Sequence, residues 1–129
     1  MTVVYSITAI NERLEGVIDA IDGGGSNGSM ELLSGTTVVS TISLNRPCGT
    51  VNGGVLTFSG TLLDPSAANT GLIDSAMVKN SAGTVMISGL TVGIPLTTGV
   101  DIIVSNGLNS TLITAGQVVA VLAAQITGS

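Results

Sequence analysis

The chain has 129 residues, three basic and eight acidic side chains, no histidine and a formal charge of −5. Its length suits one domain with a real core, and 44 % apolar residues with a mean hydropathy of +0.66 place it far from the disordered class. Only 9 % of residues are charged, against roughly 25 % in ordinary soluble domains, so either neutral hydroxyls cover the surface or much of it is buried against other chains.

In chain order, the first element is an amphipathic helix over Ser6–Asp22. Ile7, Ile10, Leu14, Val17, Ile18 and Ile21 recur at helical spacing. Ser6 or Thr8 can cap its start, and Gly23 can close it. Glu12, Glu15 and Asp19 are expected on an exposed acidic face, while Asp19 and Asp22 sit near the end where the macrodipole disfavours negative charge. Residues 1–22 thus form a helical segment, 23–29 a Gly/Ser linker, and 30–129 a β domain.

In that domain, Val, Ile, Thr, Ser and Gly dominate and turn signals recur every 8 to 12 residues. The expected fold is mainly β: an antiparallel β-sandwich, jelly-roll-like, preceded by the one N-terminal helix. Strands are expected near Met30–Leu33, Thr37–Leu44, Gly54–Ser59, Leu72–Lys79, Thr84–Val92, Asp101–Ser105, Ser110–Ile113 and Gln117–Thr127. Asn45–Gly53, Asp64-Pro65 and Pro95–Gly99 read as breaks, and Asn80–Gly83 and Asn106-Gly107 as hairpin turns. The last strand is apolar on both faces, with Val119, Val121 and Ala123 on one side and Val118, Ala120, Leu122 and Ile126 on the other. Such a strand needs cover on both faces. The second cover must come from the helix or another subunit, so a homo-oligomer, dimer or trimer, is expected.

Chemistry is sparse. Three cations, Arg13, Arg46 and Lys79, give no footprint for a phosphate backbone, and two rings, Tyr5 and Phe58, give no base-stacking platform. No nucleic-acid partner is expected. The longest apolar run, Val118–Ala124, is too short for a bilayer that needs about 20 residues, and the first sixteen residues lack a signal-peptide pattern. No membrane partner is expected, and folding in a cytoplasm is. Without histidine, imidazole triads and histidine metal sites are impossible. Cys48 stands alone and reads as a small side chain in a loop or core edge. Paired carboxylates drawn from Asp64, Asp74 and Asp101 are the one remaining acid–base device, though each also suits a turn or strand edge. Gly23-Gly24-Gly25 follows a helix and lacks the Gly-Lys-Ser/Thr of a phosphate loop, and the calcium-loop spacing is absent. No catalytic residue, cofactor or metal is expected, and the chain reads as a non-enzyme.

Five stretches, in order, carry a family resemblance: Asn11-Glu12-Arg13-Leu14-Glu15-Gly16-Val17-Ile18-Asp19-Ala20-Ile21-Asp22-Gly23, Leu32-Leu33-Ser34-Gly35-Thr36, Gly53-Gly54-Val55-Leu56-Thr57, Asn80-Ser81-Ala82-Gly83-Thr84-Val85 and Ala115-Gly116-Gln117-Val118-Val119. Together they resemble small tailed-bacteriophage virion proteins of the capsid decoration or cement type, jelly-roll-like and bound to HK97-fold capsids. The chain departs from that pattern at Ser75-Ala76-Met77-Val78-Lys79, where the family tends to place an aromatic. The resemblance implies a structural protein on the capsid surface, assembled in the host bacterial cytoplasm, that bridges major capsid protein subunits. The alternative is a head-fibre base or tail-associated module touching a host-surface glycan, which the shortage of aromatics disfavours. Ile10, Leu14, Val17 and Ile21 on the helix, with Val119, Val121 and Ala123 on the last strand, are the candidate interface residues. Ordinary core is the competing reading for the last three.

Overall fold

The structure, a computed structural model, describes residues 6–23, 26–94, 100–105 and 112–127. The expected Asn106-Gly107 turn, the Pro95–Gly99 break, the start of the Ser110–Ile113 strand and part of the linker lie outside the described residues. The chain is mainly β, with one N-terminal helix set against a curled multistrand sheet.

Helix α1 runs from Ile7 to Asp22. Ser6 is its cap: the Ser6 hydroxyl accepts from the Ala9 amide at 3.1 Å, an orphan donor of the first turn. Ile10, Leu14, Ile18 and Ile21 are buried, the inward stripe that the spacing predicts. Gly23 closes the helix in the right-handed region, at φ −72° and ψ −7°. Its missing side chain matters for space, because a Cβ there would sit 2.9 Å from the Asp19 carbonyl. The unfavourable acidic end also finds its compensation. Arg46 Nη2 donates to the Asp22 carbonyl at 2.9 Å, and Asp22 Oδ2 accepts from the Cys48 amide at 3.2 Å. A cation is thereby placed where the dipole and the free carbonyls favour one.

Eleven strands follow among the described residues: β1 (Ser29–Ser34), β2 (Thr37–Ser43), β3 (Gly49–Asn52), β4 (Val55–Phe58), β5 (Leu62–Asp64), β6 (Gly71–Leu72), β7 (Ser75–Lys79), β8 (Val85–Gly93), β9 (Ile102–Ser105), β10 (Leu112–Ile113) and β11 (Val119–Thr127). Nine of them join in the order β2-β1-β7-β8-β9-β11-β4-β3, with β5 also on β11, and β6 and β10 form a separate pair. The expectation of a wholly antiparallel sheet is corrected at one place. β8 and β9 run parallel over two rungs, Val92 opposite Ile102 and Gly93 opposite Ile103.

Two strands were not expected, one in a stretch read as a break and one ending on the Asp64-Pro65 break. β3 lies within the Asn45–Gly53 stretch, where Gly, Asn and a single Val gave no alternation to read; it pairs with β4 through a two-residue Gly53-Gly54 turn, both glycines at positive φ. β5 is only three residues long, and its last one is Asp64. The expected strand Leu72–Lys79 divides into β6 and β7. Both Ile73 and Ala76 are buried, three residues apart, so the period-two phase breaks between them. The Asn80–Gly83 turn is as read: Asn80 Oδ1 accepts from the amides of Ala82 and Thr84, each at 3.0 Å.

The curl is closed by a seam. Val39 O of β2, at one end of the strand order, accepts from Ala68 N at 2.9 Å and Asn69 N at 3.3 Å, just beyond β5. Asn69 Nδ2 adds a bond to Val38 O at 2.7 Å. The helix packs against β3, β4 and β8, with Asn11 Oδ1 accepting from Gly54 N at 2.8 Å. Its buried residues share one hydrophobic cluster with Met30, Leu32, Ile42, Leu56, Val78 and Val104 of the sheet.

Candidate functional site

The three carboxylates that could have made an acid–base pair are each committed elsewhere. Asp64, although an acidic residue, is buried. Its Oδ2 accepts from Ser40 Oγ at 2.6 Å and Thr41 N at 3.3 Å, and its Oδ1 from Ser66 N at 3.0 Å. The last bond is the turn chemistry expected of Asp64-Pro65; the first two tie β5 to β2 across the seam. Asp74 accepts from the Gly35 amide on both oxygens, at 3.3 and 3.2 Å. Asp101 Oδ2 accepts from Thr91 N at 2.9 Å and Thr91 Oγ1 at 3.0 Å, while Asp101 N donates back to Thr91 Oγ1 at 2.9 Å. That exchange fastens the end of β8 to the start of β9. Among the described residues, no group of three or more histidine, cysteine, aspartate or glutamate side chains could hold a metal ion.

Cys48 lies in the core, fully buried. Burial, followed by the nearby Asp22 carboxylate, pushes its thiol pKa up to about 12. The group is therefore a protonated thiol at neutral pH, packing as a small apolar side chain.

The candidate interface residues fall in different places. Ile10, Leu14 and Ile21 are buried in the chain's own core, and Val17 packs against it partly buried. Val119 and Val121 are buried as well, but Ala123 is exposed. The strict alternation that put these three on one face fails because the register of β11 against β9 shifts between Val121 and Ala123. Leu122 is the extra residue of a bulge, and beyond it Ala124, not Ala123, points inward.

Beside the bulge, an apolar surface is exposed among the described residues. On the outward side of β5, β9 and β11, Leu63 stands opposite Ala120, Ala120 opposite Ser105, and Ala123 opposite Ile103. Leu122 is 60 % exposed and Leu63 44 %, with Val118 at 53 % just before β11. None of these described residues carries a charge. Single exposed leucines need no explanation; neighbours on adjoining strands form a patch. The signal in the sequence was the two-sided apolar character of the last strand. Leu63 escaped notice because its strand was not read. A second exposed pair, Leu72 opposite Leu112, lies on the β6–β10 ladder. Glu12, Glu15 and Asp19 are exposed on α1 as expected.

Comparison with known proteins finds no matching family model, no similar characterised protein and no similar solved structure. Among the described residues no helix is long and apolar enough to cross a membrane.

Proposed function

We propose that this chain is a structural virion protein of the capsid decoration or cement type, non-enzymatic, which stabilises a phage head by bridging major capsid protein subunits. One observation carries the reading: the apolar, charge-free outward face of β5, β9 and β11, with Leu63 and Leu122 exposed on it. A cement works by adding buried area between neighbours, about 1,600 Å² in a standard contact, and such a contact favours an interface core depleted of charge. Valine, threonine and alanine lose little side-chain entropy when fixed there. In this reading the curled sheet is a jelly-roll-like sandwich, the protein self-associates as a dimer or trimer, and it sits on the outside of a capsid assembled in the host bacterial cytoplasm. Neither nucleic acid nor membrane takes part.

The test is co-sedimentation of the purified chain with empty capsids of the phage that encodes it, read together with the heat resistance of those capsids. The expected result is binding that raises the rupture temperature. Leu122→Asp, at an exposed position that leaves the core alone, is expected to weaken binding at least about tenfold, and Leu112→Asp on the β6–β10 pair to leave it unchanged. Capsid binding that is indifferent to Leu122→Asp would remove this face from the argument. A chain that ignores capsids altogether would reject the reading and move attention to glycan binding.

A further inference from the structure

We draw no further inference here: the strongest candidate, the apolar outward face of β5, β9 and β11 around Leu63 and Leu122, belongs to the surface already described, and nothing in the structure shows whether a second copy or another partner covers it.

Discussion

Asp64 is the residue on which most depends for its size. Its carboxylate satisfies Ser40 Oγ, which is fully buried, together with the amides of Thr41 and Ser66. Removing it leaves a hydroxyl and two amides without their acceptor, and an unsatisfied buried donor costs about 1–3 kcal/mol. Asp64→Ala is expected to destabilise the fold by about 3 kcal/mol in urea titration. Asp64→Asn keeps one acceptor oxygen and the side-chain shape, so a smaller loss is expected; equal losses for the two variants would contradict the hydrogen-bonding account. Cys48 gives a pH prediction. An unfolded thiol titrates near 9.0, and the folded one near 12, so between those values the unfolded chain has already released a proton that the native chain retains. Stability must then fall as pH rises from about 9 towards 12. Below 9 the group contributes no pH dependence. Cys48→Ala is expected to lack this component when its alkaline stability curve is laid beside that of the parent. The parent thiol should also resist alkylation at pH 8 until denaturant is added.

At the scale of elements, the bend where β4 passes into β5 shapes the sheet. β4 runs opposite Gln125–Thr127 of β11, and β5 opposite Val119–Val121. Between them Ser59-Gly60-Thr61 turns at the level where β11 carries its bulge against β9. Irregularities of this kind allow strands to bend and twist more strongly. Gly60 is required twice over: its φ is +80°, and a Cβ would fall onto the Asn45 side-chain amide, which itself donates to Ser59 O at 2.7 Å. Gly60→Ala is expected to cost about 1–3 kcal/mol, visible as a lowered thermal midpoint. Gly16→Ala, in open space on the helix, should instead be neutral or stabilising by about 1 kcal/mol. The helix is held by its apolar stripe, so Leu14→Ala is expected to cost about 2–5 kcal/mol. Ser6→Ala should cost about 1 kcal/mol by loss of the cap. If Leu14→Ala melted with the parent, the shared core of helix and sheet would be in error.

For the whole molecule, two of the three cations are drawn into internal roles. Lys79 pairs with Glu31 at 3.0 Å on the β1–β7 ladder, and Arg46 holds the helix end. Glu12, Glu15 and Asp19 remain on an exposed helix face, well apart in character from the neutral β5–β9–β11 surface. Self-association through that neutral face would bring no charge of the patch itself into contact, whereas contact through the helix face would set like charges together. If a second copy covers the neutral face in the proposed dimer or trimer, light scattering on the purified chain should give a mass that is insensitive to salt between about 0.05 and 0.5 M, on the order of the range over which surface charges are screened. In that case Leu122→Asp should reduce the mass to the monomer, whereas an unchanged oligomer would leave the face to another partner. An assembly that dissolves or tightens sharply with salt would point to charged surfaces instead.

Much of this molecule was legible in the order of its residues. The helix and its exposed acidic face follow from a 3.6-residue period that local physics enforces turn by turn, while the choice of Ser6 over Thr8 as the cap came from the structure. The β character of the rest, the Asn80–Gly83 hairpin and the two-sided apolarity of the final strand follow from composition, turn chemistry and period two. What the tertiary structure decided has a common cause: it depends on partners distant in sequence. β3 and β5 are too short to show a period, and are strands because β4 and β11 offer them ladder bonds. Asp64 looked like a turn residue and is also the seam, because Ser40 and Thr41 arrive from 24 and 23 positions away. Ala123 and Ala124 exchanged places because one extra residue in β11 reverses every side chain beyond it, and no local preference of Leu122 announces a bulge that the register with β9 imposes.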